Sequence, residues 1–206
     1  MEKFRKEKIE LDLMVKSTGS KKIKTAVFIS GTGSNLKSLI KFSRLKKSPV
    51  SIEMIVSDNR KAKGLNFAKI FKIKKKIFSY KQKKFVEKKI IFELKKKKIK
   101  LICLAGFMRI LSKFFINNFE GKILNIHPSL LPKFKGLNTH ERALRNKEKY
   151  SGCTVHLVSA KLDSGKIILQ KKVRINKQET AKSLAKKVLA QEHKLYPRAI
   201  LKIFNL

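Results

Sequence analysis

The sequence predicts an α/β domain built on a mostly parallel, twisted sheet flanked by helices. Short apolar runs of strand length alternate with segments of helical periodicity, at intervals of roughly 25 residues, as far as residue 127. Such alternation is typical of βαβ units, whose strands pair in parallel. Beyond residue 127 the alternation stops, and two strand-like runs precede one long helical segment. This change predicts antiparallel strands toward the C-terminus and a long C-terminal helix.

The first half of the chain supplies the alternating elements in order. Residues 24–30 form an apolar run that ends at a glycine turn, as expected for a buried parallel strand with a tight connection. Residues 83–98 have apolar positions at helical spacing and a heavily basic face. By the same criteria we expect further strands at 50–57, 75–80, 100–106 and 122–127, and further helices at 35–45, 65–71 and 112–119.

The second half is organised differently. Residues 127–140 contain Pro and Gly and are expected to form a loop, which a short helix at 140–147 follows. Two strands joined by a polar loop lie within 153–175, and the last helix covers 181–204, where Pro197 is expected to interrupt or kink it. Residues 1–22 are charged and end in STGSKK, which predicts an N-terminal extension. A single Rossmann-like domain is therefore predicted for 23–206.

A formal net charge of +38 distinguishes this chain of 206 residues. Only eight of its 52 basic residues are Arg, the side chain that is favoured for bidentate recognition of phosphates and bases. Because Lys is spread over the whole chain, we interpret most of it as solvated surface, and a functional basic patch stays the alternative. A hydrophobic content of 42% is too high for a disordered chain.

The sequence also excludes several classes of protein. It has no run of about 18 apolar residues, as a transmembrane helix needs, and its N-terminus has no apolar region typical of a secretory signal. Cys103 and Cys153 have neither metal-ligand spacing nor the pattern of a disulfide framework. These features predict a cytoplasmic protein that binds no metal and no membrane.

The segment GTGSN, residues 31–35, lies between a predicted strand and a predicted helix. Glycines let the backbone approach an anion, and the free N–H groups of the next helix point toward it. The segment is neither a dinucleotide-binding GxGxxG sequence nor a Walker A loop. From these residues alone, a phosphate site and an ordinary strand-to-helix turn are both open.

Asn125 and His127 stand two residues apart at the end of a predicted strand, so their side chains lie on the same face. Open α/β sheets bind ligands at the carboxyl ends of their strands. A His there can transfer protons near neutral pH, and an Asn amide can donate to an oxygen that becomes negative. Asp163, in the loop between the last two strands, can orient that His and stabilise its protonated form. A buried structural His with a turn Asp is the alternative.

Together these segments resemble the phosphoribosylglycinamide formyltransferase family, folate-dependent enzymes of purine synthesis. The matching runs occur in the family's order and cover nearly all of 24–203. They are VFISGTGSNLKSLI, LAGFMRILS, LNIHPSLLPKFKGLNTHERAL, GCTVHLV, LDSGKIILQKKV and AQEHKLYP. The chain departs from the family's common pattern at Thr32, Asn138 and Lys166, where the family usually has Asn, His and Pro.

The resemblance implies a role for each matching residue. Asn125, His127 and Asp163 would be catalytic, and Glu192 would bind the amine of glycinamide ribonucleotide. The phosphate of that substrate would lie against Gly33, Ser34 and Asn35. The resemblance also implies a folate site, whose residues would be Lys83 at the folate tail and Met108, Arg109, Ile110, Leu111 and Asn125 around the ring.

The implied reaction transfers a formyl group from 10-formyltetrahydrofolate, a co-substrate, to the amine of glycinamide ribonucleotide. Asn125 and protonated His127 would stabilise the oxyanion, with no metal and no bound cofactor. The resemblance implies small-molecule partners, no specific nucleic acid and a monomer or dimer.

Methionyl-tRNA formyltransferase shares the HPSLLP loop and is the nearest alternative. It usually continues SLLPxxRGxxP, where this chain has SLLPKFKGLNTH, and usually carries a further C-terminal domain. A basic nucleic-acid-binding module without catalysis is the alternative from another class, against which the scarcity of Arg counts.

Overall fold

A computed structural model describes residues 22–205, so nearly all of the predicted extension at 1–22 lies outside the described residues. The strands are β1 (Ile23–Ile29), β2 (Val50–Ser57), β3 (Lys74–Ile77), β4 (Leu101–Leu104), β5 (Lys122–His127), β6 (Tyr150–Leu157) and β7 (Ile167–Arg174). The α-helices are α1 (Ser34–Ser43), α2 (Asn66–Ile70), α3 (Lys83–Lys96), α4 (Lys113–Asn118), α5 (Thr139–Arg145) and α6 (Ala181–Ile203). Short 3₁₀ turns cover Lys63–Leu65 and Tyr80–Gln82.

The described strands form one sheet in the order β3-β2-β1-β4-β5-β6-β7. The first five along the chain pair in parallel, whereas β6 and β7 are antiparallel. This confirms the predicted fold class. The order also brings the carboxyl ends of β1, β4 and β5 together at one edge, which is where open α/β sheets bind ligands.

Helices cover both faces of the sheet, and the side chains of β1 contribute to an apolar core on each face. Ala26 and Phe28 contribute to an apolar core on the face that α3 and α4 cover. Val27 and Ile29 point to the opposite core, under α1 and α6. All four side chains are fully buried, which explains why β1 is a continuous apolar run instead of an alternating one.

The prediction that Pro197 interrupts the last helix was wrong, because α6 runs unbroken from Ala181 to Ile203. Proline has no N–H to give to the carbonyl four residues earlier, here that of His193. The Ser38 hydroxyl of α1 donates to this carbonyl oxygen at 3.0 Å instead. A side chain from a distant helix thus supplies the hydrogen bond that proline cannot make.

Two strand boundaries differ from the prediction by three residues, more than the others do. β6 begins at Tyr150 and not at residue 153, because Gly152 pairs with Lys172 of β7. A Cβ at Gly152 would lie 2.0 Å from the Lys171 carbonyl oxygen, so the glycine permits close strand pairing instead of marking a turn. β3 ends at Ile77, and the rest of the predicted strand at 75–80 leads into a 3₁₀ turn.

In the part of the chain that the structure describes, no helix has the length and apolar character needed to cross a membrane. The same residues contain no group of three or more His, Cys, Asp or Glu side chains arranged to hold a metal ion.

Candidate active site

A cavity of about 1160 Å³ opens at the carboxyl edge of the sheet, between the ends of β4 and β5, the loop after β6 and the helix α6. Nine of the residues singled out from the sequence line it: Asn35, Met108, Arg109, Ile110, Leu111, Asn125, His127, Asp163 and Glu192. Gly33 and Ser34 directly precede Asn35 at the start of α1 and do not line the cavity. Lys83, the first residue of α3, does not line it either.

The pairing of β5 with β6 fixes the position of Asn125. Asn125 stands opposite His156, and its Nδ2 atom lies 3.1 Å from Nε2 of that ring. The other ring nitrogen, Nδ1, lies 2.8 Å from the Leu157 carbonyl oxygen and therefore carries a hydrogen, because a carbonyl can only accept. In the neutral ring Nε2 then accepts from the Asn125 amide, whereas in the protonated ring its N–H faces Oδ1 of Asp163 at 3.6 Å. His156 thereby sets which way this amide faces.

His127 is buried, and acceptors face both of its ring nitrogens. Nε2 lies 2.9 Å from the Phe134 carbonyl oxygen, and Nδ1 lies 3.4 Å from Oδ2 of Asp163. Burial lowers the pKa of His127 from its ordinary value, while the Phe134 carbonyl and the Asp163 carboxylate act in the opposite direction. The ring is therefore mainly neutral at pH 7, and both of its N–H groups have an acceptor once it takes up a proton.

Asp163 reaches the cavity from a backbone with φ of 45°, in the left-handed region that Asp and Asn tolerate better than most residues. Its Oδ2 accepts from the Gly136 N–H at 2.9 Å, and its Oδ1 lies 3.4 Å from the Asn125 amide nitrogen. Burial raises the pKa of Asp163, but its contacts with His156 and the Gly136 N–H outweigh burial and lower it overall. The carboxyl group is therefore ionised at pH 7.

Another part of the cavity lining comes from Glu192 of α6, which accepts a 2.6 Å hydrogen bond from Nδ2 of Asn35. Burial raises the pKa of Glu192, and the bond from Asn35 opposes this in part. The remaining amide oxygen, Oδ1 of Asn35, is buried and has no hydrogen-bond partner within the described residues. These two lining residues therefore place at the cavity a carboxyl group and an amide oxygen that has no partner among the described residues.

The glycine turn before α1 has two structural requirements of its own. Gly33 has φ of +76°, and a Cβ there would lie 2.6 Å from Cα of Gly64. The Gly64 N–H in turn donates to the Gly31 carbonyl at 3.0 Å. No side chain caps the N-terminus of α1, which leaves its first N–H groups able to bind an anion.

The loop after β5 is fastened to the antiparallel strands through residues that the sequence interpretation did not use. The Leu131 N–H donates to Oγ1 of Thr154 at 3.1 Å, and that hydroxyl donates to the Ser129 carbonyl at 2.6 Å. Gln170 of β7 donates to the Leu131 carbonyl at 2.8 Å. In the pairing of β5 with β6, Thr154 and His156 stand opposite His127 and Asn125. A prediction of this strand pairing from the sequence would have indicated both residues.

The chain is similar to known proteins in sequence and in fold. The sequence profile of the Formyl transferase family matches residues 23–200. The human trifunctional purine biosynthetic protein adenosine-3 is 43% identical over 183 residues, which are 87% of this chain and 18% of the human protein. The chain thus spans less than a fifth of the length of that relative.

Two bacterial proteins match along most of their own length. The phosphoribosylglycinamide formyltransferase of Bacillus subtilis (strain 168) is 38% identical over 188 residues, covering 89% of this chain and 95% of that protein. The crystal structure of phosphoribosylglycinamide formyltransferase from Brucella melitensis matches this chain with a TM-score of 0.84 and 44% sequence identity. The match covers 89% of this chain and 96% of that one. The chain therefore belongs to the phosphoribosylglycinamide formyltransferase family.

Proposed function

We propose that this protein transfers the formyl group of 10-formyltetrahydrofolate to the amine of glycinamide ribonucleotide, a step in purine biosynthesis. The observation that carries the proposal is the cluster of Asn125, His127 and Asp163 at the carboxyl edge of the sheet. It unites an amide donor, a neutral imidazole and an ionised carboxylate within hydrogen-bonding distance or close to it. These groups can supply the proton transfer and the oxyanion stabilisation that acyl transfer to an amine uses.

The first step forms a bond between the neutral amine nitrogen and the formyl carbon, which turns the formyl oxygen into an oxyanion. The Asn125 amide is the donor placed to stabilise this charge. One of its hydrogens is directed to His156 at 3.1 Å, whereas its contact with Asp163 is longer, at 3.4 Å. A substrate oxygen competes more easily for the hydrogen in the longer contact.

The second step moves one proton from the attacking nitrogen to the folate nitrogen that leaves. His127 begins neutral, so it can accept this proton, and the Phe134 carbonyl and Asp163 then stabilise the imidazolium. Breaking the bond between carbon and folate nitrogen returns the proton to that nitrogen. His127 therefore contributes to the oxyanion's stabilisation in its protonated form, after it has taken up a proton.

The remaining residues are assigned to substrate binding. The turn at Gly33, Ser34 and Asn35 would hold the ribonucleotide phosphate, because the first turn of α1 is uncapped. Glu192, across the cavity, would hold the substrate amine. The segment at 108–111 would line the folate ring site, and the assignment of Lys83 to the folate tail stays a prediction.

The cavity is large enough for two substrates to meet, since ligand pockets commonly measure ~300–1,000 Å³ and this one measures about 1160 Å³. The folate derivative arrives with the formyl group and leaves without it, so it is a co-substrate. We also propose a cytoplasmic location for this reaction, which agrees with the buried free thiols of Cys103 and Cys153.

The test is an assay of formyl transfer from 10-formyltetrahydrofolate, with glycinamide ribonucleotide and aminoacylated initiator tRNA as competing acceptors. We expect formylation of the ribonucleotide and none of the tRNA. Formylation of the tRNA alone would overturn the proposal in favour of the tRNA enzyme. Absence of transfer to either acceptor would overturn the assignment as a formyltransferase.

A further inference from the structure

The cavity wall formed by residues 107–112, here called the wall segment, has no regular secondary structure, yet buried side chains hold both of its ends. At the first end, the Met108 N–H donates to the Ser30 hydroxyl oxygen at 2.8 Å, and this hydroxyl donates to Asp58 at 2.5 Å. The second Asp58 oxygen accepts from Nε of Arg109 at 2.7 Å. One buried carboxylate thus fixes two consecutive residues of the wall segment.

Glu87 of α3 holds the other end. Its side chain is fully buried, and its Oε1 accepts from the Ser112 N–H at 3.0 Å. Its Oε2 accepts from the Ser112 hydroxyl. The oxygen of that hydroxyl in turn accepts from the Phe115 N–H at 3.1 Å and caps the N-terminus of α4. Both hydrogen bonds to Glu87 therefore come from neutral groups of a single residue, in a chain with 52 basic residues.

Aromatic contacts fill the space beneath the wall segment. The Tyr80 ring packs edge-on against Phe107, with centroids 5.7 Å apart, and Phe107 packs likewise against Phe28 at 5.3 Å. Burial raises the pKa of Tyr80, and the negative charges of Glu87 and Asp58 raise it further. Both carboxyl groups therefore act on Tyr80, whose ring packs against Phe107 at the start of the wall segment.

A buried carboxylate costs free energy unless its hydrogen bonds offset the loss of water. Glu87 does not line the cavity, and both of its carboxyl oxygens accept hydrogen bonds from Ser112, which ends the wall segment and caps α4. We infer that Glu87 is a positioning residue for the formyl donor: by holding Ser112, it fixes the backbone at 108–111 against which the folate ring would bind. This inference rests on the proposed function.

The test compares Glu87→Met, which removes both acceptors, with Glu87→Gln, which keeps one. Glu93→Gln is the matched control, because Glu93 lies on the same helix and pairs with Lys76. Steady-state kinetics would give kcat and both KM values for each variant. Hydrogen exchange followed by mass spectrometry would report the protection of peptides that cover 107–112.

We expect Glu87→Met to raise the KM for 10-formyltetrahydrofolate about tenfold, with kcat and the KM for glycinamide ribonucleotide within about twofold of wild type. Glu87→Gln should give an intermediate rise because it retains one acceptor, and Glu93→Gln should match wild type. Exchange in the wall segment should become faster in the same order.

Two results would overturn the inference. One is an unchanged folate KM in both Glu87 variants of an enzyme whose wild type is active. The other is a fall in kcat with an equal rise in both KM values and a lower Tm, which would show a merely structural role. A wild type that transfers no formyl group at all would overturn the proposed function instead, so the two failures are distinguishable.

Discussion

The two walls of the cavity present their functional groups in different ways. On the strand wall, formed by β5, β6 and the loop of Asp163, the chemical groups are side chains, and strand pairing sets their positions: Asn125 stands opposite His156. On the wall segment, the residues that line the cavity belong to irregular backbone. Side chains from Ser30, Asp58 and Glu87, far away in sequence, hold that backbone in place.

The two walls should therefore respond differently to substitution. A sheet has many hydrogen bonds that define one register, so a single substitution on the strand wall removes a chemical group and leaves its neighbours in place. The wall segment is held instead by a few hydrogen bonds to the side chains of Ser30, Asp58 and Glu87. Substitutions on the strand wall should therefore affect kcat, whereas substitutions behind the wall segment should affect binding of the formyl donor.

The largest effect is expected on the strand wall. His127→Ala and Asp163→Asn should each lower kcat by on the order of 10² or more, as for loss of general acid–base catalysis. Asn tolerates the left-handed backbone at residue 163, so the second variant removes the charge without new strain. KM values should change much less.

Steady-state kinetics at saturating substrate would test this expectation. Glu120→Gln is a suitable control, because Glu120 is an exposed acid that pairs with Lys95 and Lys100. A kcat like that of wild type in both strand-wall variants would contradict the assignment of the catalytic cluster.

The next effect in size is expected at Gly33, which packs against Gly64 and belongs to the turn assigned to phosphate binding. Gly33→Ala should lower the free energy of unfolding by about 2 kcal/mol, because its φ of +76° is strained for Ala and its Cβ would collide with Gly64. This corresponds to a fall in Tm of about 4–8 °C for a domain of this size. Thermal unfolding would measure the change.

Gly31→Ala is the matched control for the glycine turn, because no atom lies within 4 Å of its added Cβ. We expect its Tm to stay close to that of wild type. Gly33→Ala, in the proposed phosphate-binding turn, should also weaken binding of glycinamide ribonucleotide while leaving folate binding intact. Equal Tm values for the two alanine variants would show that the packing of Gly33 against Gly64 is unimportant.

A smaller effect concerns the charge on His127. Its pKa should lie below the ordinary value of 6.5, because burial disfavours the imidazolium. The Asp163 carboxylate acts to raise this pKa, so Asp163→Asn should lower it further. An NMR pH titration of the ring would check both. A pKa above 6.5 in the wild type, or a rise in the variant, would contradict this account.

The smallest effect should come from the lysine surface. A net charge of +38 attracts anionic substrates, so kcat/KM should fall severalfold between about 50 and 200 mM salt while kcat changes little. RNA should compete only at low salt, as expected for binding through counterion release. Kinetics over this range, with and without tRNA, would test both points. Tight tRNA binding at the higher salt would point to a specific basic patch.

The alternation of elements could be predicted because each strand and helix carries its own period of apolar residues. Placing Asn125 and His127 on one face needed only the two-residue period of a strand. The contact of Asp163 with His127 could only be suggested, since 36 residues separate them and only folding brings them to 3.4 Å. The continuation of α6 through Pro197 could not be predicted, because it uses a hydroxyl from α1.

The amino-acid sequence was enough to predict the order of the elements, the fold class and the polar groups that meet at the carboxyl edge of the sheet. These properties follow from local periodicity and from motifs whose residues are near each other in the chain. The partners that orient polar groups at the cavity, such as His156 for Asn125 and Glu87 for Ser112, depend on tertiary contacts. The physical reason is that an orienting hydrogen bond acts over about 3 Å in space and leaves no periodic trace along the chain.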